Sequence, residues 1–254
     1  MSSITFLGTG TSQGVPMIGC DCEVCSSNDA HDNRLRSSVL IQEKGVDFLI
    51  DASVDFRYQM LREGVKNIDA ILFTHGHKDH TGGLDDVRAF NYILKKGMDV
   101  YAEKNVVDIL KKDYDYAFGK DPYPGVPEIK MHTITDKKFD VCGVEVTPIR
   151  GLHYKLPVLG FRIGNICYIT DMNHIEDSEI EKFVGVDILV INSLRRTEHI
   201  SHFTLSEALN VICKAAPKRA YLTHISHQLG LYADVKEELP ENVFLAYDRL
   251  KITL

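Results

Sequence analysis

Four residues of types that commonly bind metal ions stand within six positions of one another: His75, His77, Asp79 and His80. They follow the apolar run Ala70–Phe73, which has the length and composition of a buried strand. Strand alternation would point the first two histidines to one side, and the glycines around the string would let the other two residues fold back to a second point. Imidazole and carboxylate suit zinc, manganese or iron at an open, hydrolytic site. Four ligands this close cannot all serve one ion and leave room for water, so the string predicts a two-metal centre.

Three further donors each come just after a predicted strand: His153, Asp171 and His224. Loops at strand ends gather into sites, so this shared placement favours a common centre over three ordinary residues. We therefore expect all three to complete the ligand set of the two ions.

A second group of donors is the cysteine-rich segment near the N-terminus, where Cys20, Cys22 and Cys25 crowd into six residues. Without a secretory signal, such a cluster favours metal over disulfides. Tetrahedral zinc needs a fourth ligand, and His227, three residues beyond His224, is the candidate. The alternative is three reduced cysteines on a loop and an unrelated surface histidine.

The elements that must position these residues are short. Apolar runs rich in Val, Ile, Phe and Tyr predict strands at Ile4–Leu7, Val39–Gln42, Asp47–Ile50, Ala70–Phe73, Val144–Ile149, Val158–Ile163, Ile166–Ile169, Ile188–Ile191, Ala220–Leu222 and Val243–Leu245. Helical spacing of apolar residues predicts helices at Phe56–Leu61, Val106–Leu110, Glu176–Phe183 and Leu205–Ile212, the last capped by Thr204. Because both halves mix strands and helices, helices must cover the outer faces of two packed sheets, which makes an α/β sandwich.

One irregular segment interrupts this pattern. Asp113–Lys130 carries a run of aspartate and tyrosine followed by three prolines and a glycine. A long loop of this kind in a compact domain is a lid, a binding loop or a contact surface, with a plain surface excursion as the alternative.

Composition limits the classes of function. A length of 254 residues is at the upper edge of what one core supports, so residues 1–254 are expected to form one domain. The excess of 36 acidic over 29 basic side chains gives a net charge of −7, which argues against non-specific binding to nucleic acid or anionic membrane. No apolar stretch approaches the ~18 residues of a membrane span, and the N-terminus lacks the features of a signal peptide. We expect a cytoplasmic protein and leave open whether it forms a homodimer.

Taken together, these residues resemble the metallo-β-lactamase superfamily. The resemblance covers nearly the whole chain: the turn Gly8–Gly10, the run Phe48–Asp51, the string His75–His80, then His153, Asp171 and His224. It implies a four-layer αββα sandwich with a dinuclear metal site at one edge of the sheets.

The resemblance also implies how the ligands are shared. One ion would be held by three histidines: His75, His77 and His153. The other would be held by Asp79, His80 and His224, with Asp171 bridging the two ions. Asp51 would support the site without binding metal.

Two details narrow the branch of the superfamily. The carboxylate of Asp171 departs from the lactamases that have a cysteine ligand in that region. His77 stands where flavodiiron proteins carry Glu, which disfavours a redox role. The remaining branches are hydrolases of phosphodiesters, lactones and thioesters.

The segment His202–Thr204 fits the H-x-T/S motif of two kinds of relative, the cyclic phosphate phosphodiesterases of bacterial phosphonate breakdown and the tRNA maturation endonucleases. The first kind also carries a Cys₃His structural zinc, which the three cysteines and His227 would match. As the residue before a helix, His202 could reach a phosphoryl oxygen or a leaving group without binding metal. Arg195 and Arg196 nearby are either phosphate contacts or plain surface residues.

These observations predict a metal-dependent hydrolase of a small phosphodiester, cyclic ones included. Two divalent ions, zinc or manganese, would lower the pKa of a shared water and supply hydroxide at neutral pH, and one further zinc would be structural. The catalytic candidates are Asp79 and His202, with His202 protonating or hydrogen-bonding the leaving oxygen.

Three alternatives accompany this prediction. A tRNA maturation endonuclease is disfavoured because such enzymes usually carry a basic arm, whereas residues 103–140 contain seven lysines, no arginine and eight acids. A lactone or thioester hydrolase is disfavoured by the His202 motif. The non-enzymatic alternative is a metal-stapled domain that binds a nucleotide or a partner protein.

Overall fold

Two seven-stranded sheets make up the strand layers of the computed structural model, which describes residues 2–119 and 123–254. The strands are β1 (Ser3–Gly8), β2 (Ser38–Glu43), β3 (Val46–Ile50), β4 (Ala70–Leu72), β5 (Met98–Glu103), β6 (Ile129–Ile134), β7 (Phe139–Val141), β8 (Val144–His153), β9 (Leu156–Ile163), β10 (Ile166–Tyr168), β11 (Ile188–Asn192), β12 (Arg219–Thr223), β13 (Val243–Leu245) and β14 (Lys251–Thr253). The first sheet has the order β14-β1-β2-β3-β4-β5-β6, and the second has the order β13-β12-β11-β10-β9-β8-β7.

Parallel pairing within each sheet sets the position of the site. Strands β3 to β6 run parallel in the first sheet, and β10 to β13 run parallel in the second. The carboxyl ends of parallel strands share one edge, where the loops that leave them can carry functional groups. The antiparallel hairpin of β8 and β9 adds His153 as the last residue of β8.

Helices cover the outer face of each sheet. They are α1 (Phe56–Glu63), α2 (Lys78–Thr81), α3 (Arg88–Leu94), α4 (Lys104–Asp113), α5 (Asp115–Phe118), α6 (Asp177–Ile180), α7 (Leu205–Ala215) and α8 (Tyr232–Val235). Single 3₁₀ turns lie at Ala30–Asp32, Leu84–Val87, Glu181–Phe183 and Lys236–Glu238.

Three apolar clusters hold the four layers together. The central cluster joins the inner faces of the two sheets, with Phe6 of β1 against Tyr221 of β12 at a ring distance of 5.8 Å. The outer clusters pack α1, α3 and α4 on the first sheet and α6 and α7 on the second. Each fully buried side chain of this kind, such as Ile191 of β11, contributes about 1.5–3 kcal/mol to folding. The predicted αββα sandwich is confirmed.

Most of the predicted elements are present, with ends that differ by a few residues. Helix α7 begins at Leu205 and is capped, as expected, by Thr204, whose side chain accepts from the backbone N–H of Glu207 in a capping box. Strands β5, β6, β7 and β14 were not among the predicted strands. Most residues of β6 are partly or fully exposed, and β14 has three residues, so neither leaves a clear apolar run in the sequence.

The predicted loop Asp113–Lys130 is partly regular. Helix α4 ends in it, α5 lies within it, and β6 begins at Ile129. Residues 120–122 of this loop lie outside the described residues. Among the described helices, none combines the length and the hydropathy needed to cross a membrane. The interpretation of residues 1–254 as one domain stays a prediction.

Candidate metal centre

The ends of three strands supply part of the framework of the site. Asp51 follows β3, Asp171 lies three residues beyond β10, and His224 follows β12, all three with left-handed backbones at φ 63°, 54° and 55°. Non-glycine residues pay roughly 1–2 kcal/mol for this conformation, and such strain persists where the surroundings fix it, often at functional sites. The turns bring Asp171 Oδ1 to 2.9 Å from His224 Nε2.

The histidine string continues from β4 into the single turn of α2. His75 Nε2 lies 3.0 Å from His77 Nδ1, and His80 is buried inside α2. The glycines that follow serve close packing rather than an unusual backbone, because Gly82 and Gly83 have φ of −68° and −95°. A Cβ at Gly83 would lie 2.1 Å from the carbonyl oxygen of Ser53.

The donor atoms converge in overlapping groups, each with all of its atoms within 4.8 Å of one another. We call the seven residues of these groups other than His202 the strand-end centre: His75, His77, Asp79, His80, His153, Asp171 and His224. One group contains the three histidines His75, His77 and His153, and another contains Asp79, Asp171 and His224. Asp171 also joins His75 and His80, as well as His153 and His202. The three histidines that the resemblance implies for one ion form one of these groups, whereas His80 groups with His75 and Asp171 rather than with Asp79 and His224. The division of the ligands between two ions stays a prediction.

Buried polar atoms without partners test whether a metal fits here. Among the described residues, Asp171 Oδ2, His202 Nδ1 and His224 Nε2 are buried and have no hydrogen-bond partner. His80 Nε2 nevertheless lies 2.6 Å from that carboxylate oxygen. These nitrogen and oxygen atoms lie close together but do not form hydrogen bonds. Their lone pairs can therefore point at a common position, as the ligands of a divalent ion do.

Outer contacts fix which ring nitrogen faces the centre. His80 Nδ1 lies 2.7 Å from Asp51 Oδ2, and that carboxylate also accepts from Thr74 N and Oγ1 at 2.9 Å each. His153 Nδ1 lies 2.9 Å from the carbonyl oxygen of Ser201. With Nδ1 donating outward, Nε2 of each ring is left to bind a metal. Asp51 therefore has the supporting position expected for it.

The electrostatics of the centre depend on charges held close together in a buried place. Burial opposes ionisation of Asp171, but His224 and His80 outweigh it and hold the pKa of this carboxyl well below its usual range. Burial likewise opposes a charge on His80, but Asp171 and Asp51 raise its pKa well above the usual value. Burial, reinforced by His80, lowers the pKa of His75 well below the usual value. The lowered pKa of Asp171 favours its charged form, which can compensate a bound cation.

His202 lies against both halves of the centre. Its ring packs 4.9 Å from that of His224 and 4.7 Å from that of His153, and its Nδ1 lies 3.1 Å from Asp171 Oδ1. The next residue, Phe203, donates its backbone N–H to Met172 O and accepts from Leu194 N, which fixes the turn before α7. The imidazole is therefore rigidly placed at the edge of the donor groups.

A separate group of donors is the cysteine cluster, defined as Cys20, Cys22, Cys25 and His227. Its four donor atoms lie within 4.8 Å of one another, with His227 Nδ1 at 3.3 Å and 3.2 Å from the sulfurs of Cys20 and Cys22. The backbone N–H of Cys25 and then His227 lower the pKa of Cys22 to about 6, which favours the thiolate that zinc binds. Three sulfurs and one imidazole suit a tetrahedral structural zinc.

The two arginines of the sequence analysis are engaged elsewhere. Arg195 donates to the carbonyl oxygens of Thr197 and Glu198, and Arg196 forms a two-point ion pair with Glu238. Both therefore hold surface loops in place. Sequence reasoning missed Thr74 and Ser201; Thr74 stands beside the histidine string, whereas Ser201 contributes a backbone carbonyl that no sequence pattern reveals.

The regular part of the 113–130 loop packs on α2. Tyr114 Oη donates to the carbonyl oxygen of Thr81 at 2.8 Å, and Lys78 Nζ pairs with Asp113 at 2.5 Å. Because α2 carries two residues of the strand-end centre, this segment braces the centre from outside.

Comparison with known proteins decides the family. Residues 47–225 match the family model of the beta-lactamase superfamily domain. The chain belongs to this superfamily. Membership agrees with the four-layer arrangement of the two sheets and their helices.

Individual relatives and solved structures cover the chain to different extents. A crystal structure of a diphosphatase from the PhnP family superposes with a TM-score of 0.92 and 41% identity, covering 99% of this chain and 96% of that one. An octanoyltransferase of Porphyromonas gingivalis is 43% identical over 248 residues, which is 96% of this chain and 50% of that protein. The chain thus spans about half the length of this curated relative. The short form of human tRNase Z, at 21% identity and a TM-score of 0.74, shares the fold.

Proposed function

We propose that the protein hydrolyses a small phosphodiester, cyclic ones included, at a two-metal site in the strand-end centre. The observation that carries this proposal is the set of overlapping donor groups, three of which contain Asp171 and one of these also His202. A site with two such groups suits a phosphoryl centre, whose oxygens need cations on more than one side.

When bound, two divalent ions would supply a nucleophilic hydroxide at neutral pH and neutralise the charge on the phosphoryl oxygens. The chain itself contributes the placement. His75, His77 and His153 would hold one ion and Asp79, His80 and His224 the other, while Asp171 lies between both sets. The left-handed turns at Asp171 and His224 fix these ligands before substrate arrives, so no reorganisation is needed during the reaction.

His202 would act on the leaving group. Its ring packs against those of His153 and His224 and is 9% exposed, and a bound substrate would meet it at this exposed part. From there it would donate a proton or a hydrogen bond to the departing oxygen, the general-acid role. Asp79, at 3.1 Å from His80 Nε2, would act as a ligand and help to orient the attacking oxygen.

The comparison with the PhnP-family diphosphatase supports cleavage of a phosphorus–oxygen bond. It also supports a second candidate substrate class, diesters of diphosphate. Both classes present a phosphoryl centre, and the same residues would serve either.

An acyl substrate is the competing proposal, because a 43% identical relative is named an octanoyltransferase. That name belongs to a protein about twice as long as the matched segment. The strand-end centre offers imidazoles and carboxylates, and its described part contains no cysteine that could carry an acyl group. We therefore favour phosphoryl over acyl chemistry. An RNA substrate is disfavoured by the net charge of −7 and by the acidic balance of residues 103–140.

A substrate panel on the metal-loaded protein tests the proposal. The panel contains bis(p-nitrophenyl) phosphate, a 2′,3′-cyclic nucleotide, a dinucleoside diphosphate, a lactone and an octanoyl thioester. We expect turnover of at least one phosphorus ester that chelation abolishes, with lactone and thioester hydrolysed far more slowly. Efficient lactone or thioester hydrolysis with inert phosphorus esters would move the protein to the acyl branch. Binding of a nucleotide without any turnover would favour the non-enzymatic alternative.

A further inference from the structure

A cavity of about 330 Å³ opens directly beside the strand-end centre. Its lining residues are His77, His153, Tyr154, Leu156, Ile200 and Ser201. Two of these, His77 and His153, belong to one donor group of the centre. If the centre binds the phosphoryl group of a substrate, the cavity would therefore receive an organic substituent attached close to the phosphorus atom. The other walls are mostly apolar, with Tyr154 and Ile200 exposed by 49% and 65%. Large apolar side chains exposed together beside a site commonly mark a ligand-binding surface.

Tyr154 has a left-handed backbone conformation that is unusual for an aromatic residue. Tyr154 is the first residue of the two-residue turn between β8 and β9, and its φ is 58°. Hairpin turns of this length favour Gly, Asn or Asp where φ is positive, and a bulky aromatic residue there is an outlier. Strain of this kind is maintained by the surrounding structure and points to a functional use of the side chain.

Asn173 holds both apolar walls in place. Its Oδ1 accepts from Tyr154 N at 2.8 Å, and its Nδ2 donates to the carbonyl oxygen of Ile200 at 3.1 Å. Its own backbone N–H donates to Leu152 O at 2.8 Å. One amide side chain thus ties the β8–β9 turn to the loop before His202, and the two walls stand at a fixed separation.

We infer that this cavity, hereafter the aryl pocket, binds a planar aromatic substituent of the phosphorus ester. The inference rests on the proposed function and specifies its substrate class. A flat ring would pack against Tyr154, between Leu156 and Ile200, with the phosphoryl group beside His77 and His153. Lys155 Nζ lies 5.2 Å from the Tyr154 ring centre, where a cation on the ring keeps the aromatic plane oriented.

Binding of two phosphonates to metal-loaded protein tests the aryl pocket without any reaction. Phenylphosphonate and methylphosphonate carry the same charged group and differ in the organic substituent alone. We expect calorimetry to give a Kd for phenylphosphonate about tenfold or more below that for methylphosphonate, from burial of the ring. In Tyr154→Asn and Ile200→Ser the ratio should fall to about 1–3. Asn tolerates a left-handed backbone and Ile200 is largely exposed, so both variants should fold.

The matched control is Ile93→Ser on α3, since Ile93 is exposed by 67% and lies outside the aryl pocket. This variant should keep the wild-type ratio. Equal affinity of the wild type for both phosphonates, or a ratio unchanged in Tyr154→Asn and Ile200→Ser, would overturn the inference. Turnover of methyl p-nitrophenyl phosphate, measured separately, distinguishes the two possible failures. Hydrolysis of this ester together with equal affinity for the two phosphonates would reject the aryl pocket alone. Tighter binding of phenylphosphonate without hydrolysis of any phosphorus ester would reject the proposed function alone.

Discussion

The strand-end centre and the cysteine cluster are both built from metal-binding side chains, yet the chain constructs them in opposite ways. The strand-end centre takes its residues from strand ends in both sheets, with His75, His80, Asp171 and His224 almost fully buried. The cysteine cluster takes three residues from an N-terminal loop, and its sulfurs and imidazole are half-buried. The packed core holds the residues of the strand-end centre in place, whereas the cysteine cluster would depend on its own four donors and a shared metal ion.

This difference in construction suits the strand-end centre to catalysis and the cysteine cluster to a structural role. A buried frame with strained turns keeps ligands in place whether or not the loops move, which suits catalysis. The cysteine cluster brings together Cys20 and His227, which are 207 positions apart, so a zinc ion bound there would close a long loop. His227 lies three residues beyond His224, so this closure would also steady the segment that carries a residue of the strand-end centre.

The largest effect on turnover is expected from His77→Ala. His77 is exposed, so its loss should cost little folding free energy, while one donor group loses a ligand. Because a bound ion supplies several kcal/mol of transition-state stabilisation, kcat for a phosphodiester should fall about 10⁴-fold or more. Steady-state kinetics with thermal melting measures both effects. His132→Ala is the control, since this histidine is also exposed and pairs with Asp99 away from the centre.

The next effect is that of His202→Ala, which separates a ligand from a proton donor. If His202 serves the leaving group, the variant should keep both catalytic ions and lose about 10²–10⁴ in kcat on esters with poor leaving groups. The loss should shrink for a nitrophenolate, which needs little proton donation. A similar loss for good and poor leaving groups would indicate phosphoryl binding instead, and loss of an ion would make His202 a ligand.

Cys22→Ser should have the opposite effects to His77→Ala: a large loss of folding stability and a smaller loss of turnover. One zinc should be lost, and the free energy of unfolding should fall by several kcal/mol because structural zinc contributes directly to folding. Turnover of the variant that remains folded should fall less than in His77→Ala. Metal analysis and denaturant unfolding measure these changes, with the exposed Cys213→Ser as control. Full zinc content and an unchanged melting temperature in Cys22→Ser would refute the Cys₃His assignment.

The smallest effect is expected from Tyr114→Phe, which removes one of the two contacts between the 113–118 segment and α2. The lost hydrogen bond to Thr81 O should cost about 1–2 kcal/mol of unfolding free energy. The change in kcat should be less than about tenfold, because no ligand is removed. Urea unfolding checks the first number, with the exposed Tyr123→Phe as control. A loss of turnover as large as that of His202→Ala would give the 113–118 segment a direct part in catalysis.

The sequence predicted those parts of the site that follow apolar runs. His75, Asp171 and His224 each come shortly after a strand that is recognisable from its composition. The carboxyl ends of parallel strands lie at one edge of a sheet, so residues that follow them are expected to lie close together. The fold class followed for the same reason. Edge strands such as β6 were missed because their side chains are largely exposed and need no apolar pattern.

Contacts between distant loops could not be predicted. His153 meets the Ser201 carbonyl 48 positions away, and Asn173 meets the Ile200 carbonyl 27 positions away. Both acceptors are backbone atoms, which every residue offers equally. The aryl pocket depends on these two contacts, so it becomes visible when the β8–β9 turn and the loop before His202 are seen side by side.

Metal titration against turnover tests the central claim most directly. Protein stripped of the strand-end ions, but retaining the zinc of the cysteine cluster, would be titrated with zinc or manganese while phosphodiester hydrolysis is followed. Two ions per chain should be needed for full turnover, so that fully active protein contains three ions in all. Full activity with a single ion per chain, or with none in the strand-end centre, would contradict the two-metal account.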